Sequence, residues 1–252
     1  MPEIRLVPCL ADNYAVIVKE GSTVFLVDAP EAAPIRDQLD EDGWRITHIL
    51  ITHKHDDHIA GIAELVEAFS PEVIGPAAEA GSIPGLTRTV REGDVVEVGP
   101  LWADVYDTPG HTLGHVVFHF PELKLLFSGD TMFALGCGRL FEGTPAQMWD
   151  SLRKLRQLPD DTIVYSGHEY TLSNARFAVS IDPANEGLRT RAAEIERKRA
   201  DGVPTVPFQL GLEKTTSPFL RADDPALAEA MGLSAADPAA LFAEIRGQKD
   251  RF

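Results

Sequence analysis

Residues 46–61 read Ile-Thr-His-Ile-Leu-Ile-Thr-His-Lys-His-Asp-Asp-His-Ile-Ala-Gly. The first half, ITHILITH, is a short run rich in β-branched residues, the composition of a buried strand. It delivers the chain into Thr52-His53-Lys54-His55-Asp56-Asp57-His58, after which IAELVEAF carries apolar residues at helical spacing. Imidazoles and carboxylates packed this densely suit a core poorly. At a strand end, a loop can turn His53 and His55 toward one centre while Asp57 and His58 face another. Such ligands suit zinc and similar divalent ions. A polar, histidine-rich surface loop is the plain alternative.

Three further positions weigh against that alternative. His111 follows a glycine in TPGHTLGH, Asp130 ends KLLFSGD, and His168 ends TIVYSGH. Each is a metal-type side chain beside glycine at the end of a strand-like run. The set holds five imidazoles and two carboxylates. One tetrahedral zinc takes about four ligands, so seven imply two metal ions with one carboxylate bridging them.

Around these positions the chain alternates strands and helices. IRLVPCL, YAVIVKE and TVFLVDAP read as strands, with a turn at Gly21-Ser22, and residues 31–41 read as an amphipathic helix. EVIGP, VVEVGPLWADVYDT, HVVFHF and KLLFSGD are further strands, PAQMWDSLRKLRQL a helix, and TIVYSGHEY a last strand. Two sheets between helices are expected. From about Thr171 the strand signals stop. NARFAVSI, EGLRTRAAEIERKRADG, PALAEAMGL and PAALFAEIRGQKDRF are helical in pattern, and GVPTVPFQ breaks them with two prolines. The expected division is a catalytic domain over residues 1–170 and a helical domain over residues 171–252.

The net charge of −16 excludes nucleic acid as an expected partner, because phosphate contacts come from basic faces. No run of about 18 apolar residues exists to span a membrane. The N-terminal residues show no basic region followed by an apolar run. Cys9 and Cys137 are therefore expected to be reduced thiols in a cytoplasmic protein. His48 and His119 read as strand residues, His115 as a supporting residue, and Cys137, between two glycines, as a packed thiol. Asp28, ending TVFLVD, reads as a turn residue.

HxHxDH, Gly-His, Gly-Asp-Thr and Gly-His, in that order, resemble the ligand pattern of the metallo-β-lactamase superfamily over residues 1 to about 170. The resemblance implies an αββα sandwich of α+β class, and under it Asp28 resembles the strand-end Asp that braces the metal loop. His53, His55 and His111 would hold a first metal, Asp57, His58 and His168 a second, and Asp130 would bridge. The loop GDTMFALGCGRLFEGT (129–144), GHEYT (167–171), TVP (205–207), PFLR (218–221) and IRGQKD (245–250) resemble the landmarks of the glyoxalase II family along the whole chain. That implies hydrolysis of S-(2-hydroxyacyl)glutathione thioesters such as S-D-lactoylglutathione. It also implies a glutathione site at Arg139, Tyr170, Arg246 and Lys249. Without the resemblance, Arg246 and Lys249 read as the solvated face of a terminal helix. Phe141 stands where a tyrosine is common, and Ser217 where an asparagine is.

Two metals sharing a water lower its pKa from about 15.7 toward 7, giving a hydroxide for attack on the thioester, with Asp57 orienting it. Zinc is the first expectation, and iron or manganese fits the same ligands. A monomer is expected. A persulfide dioxygenase with a single iron is the nearest alternative, but it has no need of Asp57 and His58. A secreted β-lactamase has no use for the helical tail, a tRNA-processing nuclease conflicts with the charge, and a binding module would have lost ligands.

Overall fold

Continuous apolar strands call for cover on both faces, and the computed structural model supplies it. Residues 2–234 and 236–252 are described. The chain divides into two compact units, Met1–Asp107 with Gly114–Gly129, and Thr108–Leu113 with Asp130–Phe252.

The first unit opens with three antiparallel strands, β1 (Glu3–Cys9), β2 (Asn13–Glu20) and β3 (Thr23–Val27). Parallel strands β4 (His48–Leu50), β5 (Glu72–Pro76) and β6 (Arg88–Val90) continue the sheet in the order β1 to β6. Parallel neighbours need crossovers. Helix α1 (Ala32–Asp42) joins β3 to β4, and α2 (Asp56–Ile59) with α3 (Ile62–Phe69) joins β4 to β5. Alternation assigns the faces of β3. Leu26 packs with Ile35 and Leu39 of α1 and with Ile62 and Leu65 of α3 in one buried cluster. Phe25 points the other way, stacking on Phe120 at 4.9 Å and meeting Phe127 edge-on at 6.0 Å. Those rings belong to an antiparallel meander of β7 (Val95–Val98), β8 (Leu101–Asp107), β9 (Val116–Phe120) and β10 (Leu125–Gly129). Two sheets face each other here, as expected. VVEVGPLWADVYDT resolves into a hairpin turning at Gly99, where an added Cβ would lie 2.0 Å from the Thr23 hydroxyl.

The second unit begins with a two-residue hairpin, β11 (Met132–Phe133) and β12 (Gly136–Cys137). Helix α4 (Pro145–Leu155) starts on a capping box, Thr144 accepting from Gln147 N and Gln147 accepting from Thr144 N. After β13 (Ile163–Ser166) come α5 (Thr171–Ile181) and α6 (Glu186–Ala200). Residues 172–200 hold no strand, in line with the helical reading. Beyond them the chain departs from it. β14 (Phe208–Gln209) pairs with β13, laying Phe208 beside Val164. Then follow α7 (Leu210–Thr216), a 3₁₀ turn at Pro218–Leu220, α8 (Pro225–Ala230) and α9 (Pro238–Arg251). The last two start on Asp-Pro, with Asp224 and Asp237 as caps and proline at the first helical position. Phe242 of α9 packs on Trp149 of α4 and on Phe219 of the turn. No described helix is long and apolar enough to cross a membrane.

Candidate metal centre

The histidine-rich loop hangs from one buried carboxylate. Asp28, at the end of β3 with φ 55° and 2% exposed, accepts from Thr52 N, the Thr52 hydroxyl and His58 Nδ1, each at 2.8 Å. A carboxylate only accepts, so His58 carries its proton on Nδ1 and leaves Nε2 bare. The Thr52 hydroxyl spends its proton on Asp28, so it accepts from His53 Nδ1 at 3.0 Å, and His53 Nε2 is bare as well. That atom lies 3.1 Å from His55 Nδ1. Asp28 thus acts as the brace that was one of its two sequence readings.

Two residues not singled out from the sequence complete the support. Asn13 Nδ2 donates to Asp57 Oδ2 at 3.1 Å and to Asp57 O at 3.0 Å. Glu79, 4% exposed, accepts from Lys54 N at 2.7 Å and from Gly114 N at 3.2 Å. Neither follows a periodicity or motif, and their partners are far away in the chain.

In the second unit, His111, Asp130 and His168 are all buried. His111 Nδ1 donates to Arg139 O at 2.8 Å, which leaves its Nε2 bare, 3.4 Å from Asp130 Oδ2. His168 Nε2 lies 3.3 Å from the same oxygen. Gly138 is required by this closeness, since a Cβ there would sit 2.1 Å from Asp130 O and 2.9 Å from His111 Nδ1. Tyr170 stacks on His168 with ring centroids 4.7 Å apart and planes 7° from parallel. Phe141, 64% exposed, sets its ring against His111 at 5.3 Å.

The loop carrying Arg139 is gripped by the C-terminal helices. Asn174 of α5 donates to Ala134 O at 3.1 Å, and Glu213 of α7 accepts from Leu135 N at 2.8 Å. Glu213 is fully buried and paired with Arg191. Arg246 of α9 donates to Cys137 O and to Asp250, both at 2.9 Å. Arg246 therefore does not lie on a solvated helix face. Its guanidinium is buried, over the Phe219 ring, and its Nε has no hydrogen-bond partner among the described residues. Lys249, on the same helix, donates to Ser173 O and Oγ and lies over Phe177 and Phe252. Burial, with Arg246 and Arg139 nearby, lowers its pKa to about 8. Arg139 and Tyr170 are the exposed members of the four.

The candidate ligands gather within each unit: His53, His55, Asp57 and His58 along the histidine-rich loop of the first, and His111, Asp130 and His168 in the second. Nitrogens bound at 2.0–2.1 Å around a tetrahedral zinc stand about 3.3 Å apart, the spacing found here at Asp130. The fold and this His/Asp cluster support divalent metal binding. His115 is buried and stacks on His53 at 4.8 Å, while His48 and His119 sit in strands, their pKa values lowered by burial. Cys9 and Cys137 are free and buried, and burial pushes both thiols up to about 11, against any nucleophilic role.

Residues 9–168 match the metallo-beta-lactamase superfamily, the class of protein that this fold and ligand set define, and residues 169–252 match the hydroxyacylglutathione hydrolase C-terminus. A hydroxyacylglutathione hydrolase from Ruegeria pomeroyi is 55% identical, with 99% of each chain covered. The chain belongs to the hydroxyacylglutathione hydrolase family. Among solved structures, ETHE1 from Myxococcus xanthus superposes with a TM-score of 0.69 at 25% identity, covering 98% of this chain and 90% of that one. TTHA1623 in a di-iron-bound form superposes at 0.65 and 26% identity, covering 85% of this chain and 98% of that one.

Proposed function

We propose that this chain hydrolyses S-(2-hydroxyacyl)glutathione thioesters, S-D-lactoylglutathione among them, to glutathione and the 2-hydroxy acid. The carrying observation is the 55% identity to a relative of that name, over 99% of each chain. A single-iron dioxygenase is disfavoured by the same match.

His53, His55 and His111 would hold one ion, Asp57, His58 and His168 the other, and Asp130 would bridge. Supporting this, Asp130 Oδ2 stands between two imidazole nitrogens at 3.4 and 3.3 Å, and three imidazoles have their bare nitrogen set by a hydrogen bond at the other. The di-iron form of a 26% identical structure favours a pair of ions. Zinc is our first choice, with iron or manganese suited to the same donors. When bound, such a pair supplies a water that ionises near neutral pH and an electrophile for the thioester oxygen.

The chain's own residues do the rest. Asp57 orients the attacking water through its carboxylate. Arg139 and Lys249 receive glutathione carboxylates, and the exposed Tyr170 ring lines the peptide's path. Arg246 adds its charge from beneath the loop. The leaving thiolate belongs to a thiol of pKa about 8.5, so it departs without a dedicated acid. Free thiols suit a reducing cytoplasm, and we propose a monomer.

The test is to follow loss of S-D-lactoylglutathione by the purified protein, with metal content and sedimentation measured on the same sample. D-lactate and free thiol should appear in equal amounts, with two ions per chain. A metal-loaded protein inert toward every glutathione thioester would overturn the proposal.

A further inference from the structure

Asp57 has its side chain 42% exposed on the four-residue helix α2. A buried side chain from β2 reaches it. Asn13, 4% exposed, begins β2 where the β1–β2 hairpin closes, its backbone register set by pairing with Cys9. Its amide spends one proton on Asp57 Oδ2 at 3.1 Å and aims at Asp57 O at 3.0 Å with the same nitrogen. Two acceptors face that nitrogen, so the amide cannot be turned about without setting oxygen against oxygen. Tying a carboxylate to its own residue's carbonyl fixes the side-chain torsion.

We infer that Asn13 is a positioning residue for this hydrolase, holding the Asp57 carboxylate in the one orientation that serves both ligation and alignment of the attacking water. This rests on the proposed function for its kinetic part, and on the contact alone for its metal part. Losing a group that orients a ligand lowers metal affinity or activity by about 10- to 100-fold.

The experiment uses the full-length protein with Asn13→Ala and Asn13→Asp. On S-D-lactoylglutathione, Asn13→Ala should lower kcat by about 10- to 100-fold with KM little changed. In metal-free protein titrated against a chromophoric chelator, the weaker of two binding steps should weaken by a similar factor, and the tighter step should hold. Asn13→Asp keeps the shape but replaces the donor with an acceptor, so it should be at least as damaging. A space-filling role predicts the reverse, with Asp milder than Ala. If Asn13→Asp does not fold, Asn13→Ala decides by the same two readouts. Wild-type kcat and metal affinity in folded Asn13→Ala overturn the inference, as does a change confined to KM. A wild-type protein that binds metal but hydrolyses no glutathione thioester sinks the proposed function instead, and the chelator titration still judges Asn13.

Discussion

Lys249 shows what a single residue contributes when it is half-buried among cations. An ordinary lysine titrates at 10.5, and here burial, then Arg246 and Arg139, bring the value to about 8. Below pH 8 the ammonium is present and can meet a glutathione carboxylate. As pH rises through 8 it is lost in the folded protein, while in the unfolded chain it persists to about 10.5. We expect KM for a glutathione thioester to climb about tenfold between pH 7 and 9.5, the scale of one charged hydrogen bond, with kcat unaffected by this group. Lys249→Arg should remove the climb, and a KM equally flat in wild type would refute the assignment. Stability runs the other way: between pH 8 and 10.5 the unfolded chain binds more protons, so this residue's contribution rises with pH. Apart from the family resemblance, the sequence reads Lys249 as a helix-face cation. Its neighbours, Ser173 and the rings of Phe177 and Phe252, come from other turns of the chain.

At the scale of elements, the β11–β12 hairpin is the part least visible in the sequence. Two-residue strands have no period to detect, and its tip residue Leu135 is buried with Ala175, Ala178, Leu188 and Ile195 of α5 and α6. Glu213, in LGLEKTT, reads as an ordinary surface glutamate of a short helix. It is instead fully buried, holding Leu135 N and the Arg191 guanidinium. Removing one partner of a buried pair leaves the other charge uncompensated, at a cost of about 3–5 kcal/mol. Glu213→Ala should therefore lose that much in denaturant unfolding. A loss under about 1 kcal/mol would mean the pair is effectively solvated. The long helices are readable in the sequence, because apolar spacing is a local signal that tertiary contacts only reinforce.

For the whole molecule, holding ions on the proposed ligands His53, His58, His111, His168 and Asp130, all buried, would link metal to fold. An ion bound only by the folded state stabilises it by about 4 kcal/mol at a thousandfold excess over Kd, which moves Tm by on the order of 10 °C in a chain of this size. Exhaustive chelation should lower Tm by that order, and zinc should restore it. An unchanged Tm after verified metal loss would show that the ligands are pre-held without any ion.

Motifs and periodicity disclose the candidate ligand residues and their order, the two-sheet core, the helical run after residue 171 and the family. These are readable because motif spacing and 2.0 or 3.6 periodicity are properties of adjacent residues. Folding settled which nitrogen His53, His58 and His111 present, that Arg246 lies inside and grips a loop, and that Asn13, Glu79 and Glu213 are supports. Those partners lie 24, 44, 78 and 109 residues apart for Asp28–Thr52, Asn13–Asp57, Glu213–Leu135 and Arg246–Cys137. A buried polar group must be satisfied by whatever the fold brings near it, and no local pattern along the chain records which residue that will be.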